Sequence, residues 1–166
     1  MSLSRGLNLL LVVNGSDPSC RPKKAIHSIS VSVFAHGTED EGKVLAALRR
    51  IVPESVSVDR LPVTGHFGNP MVILTARIEK AYETRHIIGA IKKELPKDEL
   101  IDLREQIPQH LNQRCTLVMK FDKQAAAGGF LRQGNEDPIV LRVKIAAYPA
   151  RVETATQIIR DLFDDA

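Results

Sequence analysis

Hydroxyl and cationic side chains recur at alternate positions of several apolar segments. A period of two is typical of half-buried strands, so these side chains should share the outward face of one sheet. Such a face can hold phosphate oxygens by hydrogen bonding and charge, but a solvated sheet face has the same composition, and both interpretations stay open. The outward side chains, with one aromatic residue among them, are Ser28, Ser30, Ser32, Phe34, Thr75, Arg77, Thr116, Lys120, Arg142 and Lys144.

The loop of residues 65–70 joins two of these segments. We expect positive φ angles at both Gly65 and Gly68, because glycine alone adopts them without strain, and Pro70 holds the preceding residue extended. The predicted structure is an antiparallel hairpin with His66 near its tip. The loop is either a connector or a contact for a partner.

Signatures of metal binding and catalysis are missing from the sequence. The five histidines follow no metal-ligand spacing. The nearest cluster, Glu79, Glu83 and His86, is typical of a solvated helix face. The pair Gly128 and Gly129 lacks the Lys-Ser or Lys-Thr that follows the glycines of a P-loop. We therefore predict no catalytic residue, no metal site and no cofactor.

The elements that position these side chains follow from hydrophobic periodicity. Thr38 and Glu41 have the spacing of a capping box, which predicts a helix that ends before Pro53. Three further helices are predicted at residues 81–95, 98–107 and 152–162, and five strands at 29–35, 56–63, 70–79, 115–121 and 139–147.

The order of elements is β-α-β-β-α-α-β-β-α. Hairpin connections dominate this order, so it favours an α+β fold over a doubly wound one. The predicted architecture is a mostly antiparallel five-stranded sheet with helices packed on one face. Residues 122–137 are interpreted as a flexible, glycine-containing connection between the last two strands.

The composition fits one soluble globular domain, with 166 residues, 43% hydrophobic and 26% charged. No apolar run approaches the roughly 18 residues of a membrane span. We therefore expect no membrane association. Two cysteines, Cys20 and Cys115, are too few for a disulfide framework or a zinc site, which favours a cytoplasmic location. The absence of Trp and the 4% content of aromatic residues argue against stacking many bases on aromatic side chains.

The net charge of +3 is unevenly distributed. Residues 1–24 hold four basic residues and one acidic residue, and the rest of the chain is neutral. We predict that residues 1–24 are a disordered tail or an extended gene model, and that residues 25–166 form the single domain. A local excess of cations lies in residues 114–148, with six basic and three acidic side chains.

Four segments in fixed order carry a family resemblance: FAHGTEDE (34–41), GHFGNP (65–70), FDKQAA (121–126) and IAAYP (145–149). Together they resemble an archaeal family described as predicted RNA-binding proteins or exosome subunits. The resemblance covers about residues 26–163. It implies an α+β domain similar to the ribosomal protein that binds 5S RNA, no enzymatic activity, and RNA and exosome subunits as partners in the archaeal cytoplasm.

The candidate RNA-binding residues come from both lines of reasoning. The second and third segments of the resemblance contribute His66, Asn69, Lys123 and Gln124, and the basic sheet and connection contribute Arg77, Lys120, Arg132, Arg142 and Lys144. The alternative hypothesis is a protein-interaction scaffold or homodimerisation module without RNA affinity, since the body of the chain is neutral and poor in aromatic residues.

Overall fold

The longest strand of the sheet, β1 (Ile26–His36), lies at its centre. The structure is a computed structural model that describes residues 25–164, so the predicted N-terminal tail lies outside the described residues. From Ile29 to Ala35 the apolar side chains of β1 are buried at every second position, as the sequence pattern predicted. The alternate positions from Ser28 to Phe34 form the opposite face of the sheet, where Ser30 and Ser32 are half-buried, Phe34 is exposed and Ser28 is buried.

The five strands form one open sheet in the order β2-β3-β1-β5-β4. Every pair of neighbours is antiparallel, which confirms the predicted fold class. The flanking strands are β2 (Asp59–Thr64), β3 (Pro70–Ile78), β4 (Thr116–Phe121) and β5 (Ile139–Ile145).

The helices pack on the face of the sheet that carries the buried side chains. The order of strands agrees with the prediction, and the structure adds two short helices to it. None of the helices in the described part of the chain is long and apolar enough to cross a membrane. The helices are α1 (Glu41–Arg49), α2 (Ala81–Glu94), α3 (Lys97–Glu105), α4 (Ile107–His110), α5 (Lys123–Ala127) and α6 (Val152–Asp164).

The start of α1 differs from the predicted capping box. Asp40 is the N-cap, and its carboxylate accepts a hydrogen bond of 2.9 Å from the backbone N–H of Gly42. Glu41 does not reach back to Thr38, because its carboxylate binds the guanidinium of Arg60 on β2 at 3.0 Å. Asp40 therefore supplies the local cap, and a tertiary ion pair takes the place of the predicted contact between Glu41 and Thr38.

Three predicted boundaries were wrong for identifiable reasons. The strand at 56–63 begins only at Asp59, since Arg49 donates hydrogen bonds to the carbonyls of Pro53 and Val56 and so holds that segment as a loop. The helix at 98–107 is interrupted at Gln106, two residues before Pro108, whose ring cannot supply a helical N–H. The connection 122–137 contains α5, which the sequence analysis missed.

The β2–β3 hairpin forms as predicted, with residues 65–69 as its loop. Gly68 has a positive φ of 78°, whereas Gly65 does not adopt a positive φ. The expectation for Gly65 was therefore wrong. A Cβ atom there would lie 2.4 Å from Oδ1 of Asn69, so a larger residue requires the Asn69 side chain to move.

We predict that Gly68→Ala lowers the free energy of unfolding by about 1–2 kcal/mol, the cost of a left-handed conformation for an L-residue. The matched control is Gly89→Ala in α2. A Cβ atom meets no other atom within 4 Å at either position, so only the backbone conformation differs. The control should stabilise the protein by about 0.5–1 kcal/mol, because alanine favours helix. Denaturant unfolding measures both, and equal effects would contradict the prediction.

Candidate functional site

The strand register brings four of the predicted cations onto the face of the sheet that carries no helices, here called the open face. Arg77 on β3 and Arg142 on β5 both lie opposite Ser30 of β1. Lys144 follows in the next row, between Ser28 and Thr116. Lys120 lies on the edge strand β4, opposite Val140. Arg77, Lys120, Arg142 and Lys144 form the basic half of the open face.

These four cations differ in whether they already form hydrogen bonds or ion pairs within the protein. Within residues 25–164, the side chains of Lys120 and Arg142 are exposed and form no hydrogen bond or ion pair. Arg77 is exposed but pairs with Glu79 at 2.8 Å. Lys144 is half-buried, and its ammonium donates to the carbonyl oxygen of Arg114. Lys120 and Arg142 are thus the cations most available to an external anion.

The other end of the open face is apolar. Phe34 of β1 lies beside Ile73 of β3, which in turn lies beside Leu61 of β2. Phe34 is 40% exposed and Leu61 is 58% exposed. Met71 and Val63 occupy the next row towards the hairpin. We call these five residues the apolar half of the open face.

Lys123 has a different environment from the one the sequence suggested. Its side chain is only 6% exposed and lies inside the protein, where its ammonium donates to the carbonyl oxygen of Phe34 and to Oε2 of Glu39, both at 2.9 Å. It also donates to the carboxylate of Asp137. With all three ammonium protons engaged internally, Lys123 cannot face a partner, and we leave it out of the candidate interface.

The strand register explains why a lysine is needed at this point. Ser32 of β1 pairs with Val140 of β5, so continuing the antiparallel register places Phe34 opposite Pro138. Proline has no N–H, so it cannot donate to the carbonyl of Phe34. The ammonium of Lys123 supplies the missing donor at the end of the central strand.

Glu39 owes its ionisation to the same cluster. Partial burial is the largest single effect and raises its pKa, and repulsion from Asp137 acts in the same direction. Hydrogen bonds from the backbone N–H of His36 and from Lys123, together with the charge of Lys123, outweigh these effects and lower the pKa. Glu39 is therefore held in its charged form.

Three side chains of this cluster have the types and spacing of metal ligands. One ligand atom each from His36, Glu39 and Asp137 lies within 4.8 Å of the others. The ammonium of Lys123 already binds both carboxylates, so an amino-acid cation supplies the charge that a metal ion would bring. The arrangement is an ion-pair network around one buried lysine, and it joins the end of β1, α5 and the chain entering β5.

The remaining candidates are not among the strand positions that form the open face. Gln124 is exposed on α5, which packs against α1 in the helical layer, and Arg132 is exposed near Glu99. His66 packs edge-on against Phe67 at the hairpin tip, with 5.1 Å between ring centres. The other sequence candidate in the hairpin loop is Asn69.

The apolar half was missed as a functional feature by the sequence analysis. Outward positions of single strands showed Phe34, but its neighbours on β2 and β3 become visible only when the register is known. The signal that could have identified it is the run of apolar residues from Pro70 to Leu74, which is apolar at both inward and outward positions.

The fold defines an α+β protein whose sheet is covered by helices on one face only. The uncovered open face is partly basic. The chain matches a family model described as RNA binding over residues 28–145, and it belongs to this family. It is 30% identical over 145 residues to RNA-binding protein PAB1135 of Pyrococcus abyssi, covering 84% of this chain and 94% of that one. It is 32% identical over 127 residues to the uncharacterised protein MJ0213 of Methanocaldococcus jannaschii, covering 71% and 83%.

Solved structures of related proteins have the same architecture. Protein AF2318 from Archaeoglobus fulgidus superposes with a TM-score of 0.75 at 25% identity, over 82% of this chain and 99% of that one. Mth689 from Methanothermobacter thermautotrophicus, described as a DUF54 protein, gives a TM-score of 0.72 at 29% identity, over 83% and 98%. This chain covers nearly the full length of both structures.

We predict that Lys123→Met lowers the free energy of unfolding by about 2–3 kcal/mol. Removing one member of a buried ion pair typically costs about 3–5 kcal/mol, and the solvent exposure of the two carboxylates reduces this cost. The matched control is Lys120→Met on the exposed side of β4, which should change stability by less than about 0.5 kcal/mol. Denaturant unfolding distinguishes the two, and equal stabilities would show that the Lys123 network is dispensable.

The lowered pKa of Glu39 predicts an acid-sensitive contribution to stability. The folded state favours ionised Glu39, so the contribution is complete above the ordinary pKa of 4.5 and is lost as the pH falls through the lower folded-state value. Glu39→Gln should lower stability at neutral pH and flatten the decline of stability below pH 4.5. Glu54→Gln, an exposed carboxyl elsewhere, is the control and should leave the slope unchanged. Parallel curves for the wild type and Glu39→Gln would contradict the assignment.

Proposed function

We propose that this protein is a non-catalytic RNA-binding accessory protein, and that RNA phosphates bind the basic half of the open face. The observation that carries the proposal is the pair of exposed cations without partners in the described residues, Lys120 and Arg142, on a face that no helix covers. Hydroxyl groups of Ser30 and Ser32 lie between neighbouring strands on this face and can donate to phosphate oxygens.

Membership of the RNA-binding family supports this function. The relative from Pyrococcus abyssi is itself named an RNA-binding protein. The choice of the open face depends on the geometry of this chain. Arg77 and Lys144 are secondary contacts in the proposal, because part of their charge is already used inside the protein.

We extend the proposal to association of this protein with the RNA-degrading exosome in the archaeal cytoplasm. The support is the resemblance of four ordered segments to a family described in those terms. Purification of the full chain from an archaeal lysate tests the link: exosome subunits should accompany it, and nuclease treatment shows whether RNA or protein contact holds them. Recovery of RNA without exosome subunits would remove this part of the proposal.

A second candidate function is an interaction scaffold or homodimer without RNA affinity. The apolar half of the open face favours it, since an exposed apolar patch is a common basis of protein association. Sedimentation over a range of concentrations distinguishes the two functions. A monomer that binds RNA supports the first, and a stable dimer that binds none supports the second.

We predict that Lys120→Glu combined with Arg142→Glu weakens RNA binding and makes its dependence on salt shallower. Each lost phosphate contact reduces the slope of log K against log salt by about 0.7 for single strands. Both side chains point away from the core, so the fold should be retained. Filter binding at several salt concentrations measures the effect.

The control for this double variant carries the same change in charge on the helical layer. Arg85→Glu and Lys97→Glu replace exposed cations of α2 and α3. Affinity should remain near that of the wild type, because the substitutions lie on the other face of the sheet. An equal loss of affinity in both double variants would indicate a nonspecific charge effect and contradict the proposed site.

A further inference from the structure

The placement of aromatic residues in this protein is unusual for a globular domain. The chain has five Phe and two Tyr, yet five of these seven side chains are at least 40% exposed. Only Phe121 and Phe163 belong to the core. Aromatic side chains are usually buried because each removes a large apolar area from water, so exposed rings invite a functional explanation.

Phe34 is the exposed aromatic residue of the open face. It lies on β1, the central strand, and its exposed ring is flanked by Ile73 in the same row. Its backbone is held by the sheet and by the hydrogen bond from Lys123 to its carbonyl oxygen. The ring therefore extends from a fixed backbone and offers a flat apolar surface, so only the side chain has to be ordered on binding.

The basic half begins one row from Phe34. In the neighbouring row, Lys120 lies two strands away on β4. With strands about 4.8 Å apart and a rise of about 3.4 Å per residue, the Cα atoms of Phe34 and Lys120 are separated by roughly 12 Å. Flexible side chains and a sugar-phosphate backbone can bridge this distance, so one bound strand can touch both halves.

An unpaired RNA strand has the chemistry that matches both halves. Its bases have apolar faces that stack on aromatic rings, and its phosphates bind cations. Duplex RNA presents phosphates but keeps its base faces stacked inside the helix, so it can use the basic half only. Charge complementarity therefore favours single-stranded RNA over an uncharged apolar partner for the continuous surface.

We propose that Phe34 is a stacking platform for one unpaired base of single-stranded RNA whose phosphates bind Lys120 and Arg142. This inference rests on the proposed function and specifies its substrate class. A single platform agrees with the low aromatic content of the chain, which excludes a surface that stacks many bases. Binding depends little on base identity, because every base has an apolar face.

The first test compares single-stranded 12-nucleotide RNAs with a 12-base-pair duplex by fluorescence anisotropy. The single strand should bind more tightly, and Phe34→Ala should weaken its binding by roughly 5- to 100-fold while leaving the salt dependence unchanged. Phe34→Tyr should restore binding. Phe130→Ala, which removes another exposed Phe just after α5, should have no effect.

An abasic oligonucleotide separates stacking from charge. It carries the same phosphates without bases, so the wild type should bind it about as weakly as Phe34→Ala binds the intact RNA. Equal binding of duplex and single strand, or full affinity in Phe34→Ala, would overturn the stacking proposal while the phosphate-binding function stands. Absence of RNA binding by the wild type at low salt would instead remove the proposed function itself.

A spectroscopic test reports on contact at the residue itself. The chain contains no Trp, so Phe34→Trp places a single tryptophan on the open face, and its emission can be excited selectively over that of the two tyrosines. Single-stranded RNA should quench its emission, and the matched variant Phe130→Trp should remain unquenched. Emission from the Phe34→Trp variant that changes with protein concentration and not with RNA would show that the apolar half pairs two copies of the chain, which would overturn the proposal.

Discussion

The end of the sheet depends on the interactions of one buried group, the ammonium of Lys123. It completes the hydrogen bonding of Phe34, where Pro138 cannot donate, and it neutralises Glu39 and Asp137. The turn after the central strand, the start of α5 and the chain entering β5 therefore meet at one charged group. Because a buried cation without its partners is strongly unfavourable, these three segments must come together or the charge is left uncompensated. The same hydrogen bond fixes the backbone of Phe34 on the open face.

The one-sided arrangement of helices creates the surface that we assign to RNA. The buried apolar side chains of the strands point towards the helices, which leaves the other face of the five-stranded sheet without a helical layer. Solvent would explain a uniformly polar face, but here cations are grouped at one end and apolar side chains at the other. Both edge strands are poorly suited to pairing with a further strand. Pro62 removes one backbone N–H from β2. On β4, the carbonyls of Thr116 and Lys120 already accept hydrogen bonds from the N–H groups of Asn112 and Gly134. Contacts through side chains of the open face remain.

Much of the fold could be predicted from local patterns. Alternation in β1 identified both faces of the central strand, and hairpin connections identified an antiparallel sheet with helices on one side. Errors arose where a distant residue replaced a local signal. Arg60 on β2 drew Glu41 away from its predicted capping role, and Arg49 held the loop at Pro53 and Val56 that had the composition of a strand. The short helix α5 has too few residues for a periodic pattern to identify it.

The sequence by itself determined which side chains face outward, because the alternation of a strand is a property of neighbouring residues. It also determined the types of group available on that face, including Lys120, Arg142 and Phe34. The tertiary structure decided which of these groups are free. Lys123 and Phe34 are 89 residues apart in the chain, and only tertiary packing brings the ammonium to that carbonyl. Local sequence carries no record of such a contact, so burial of one lysine and exposure of another are settled by long-range packing.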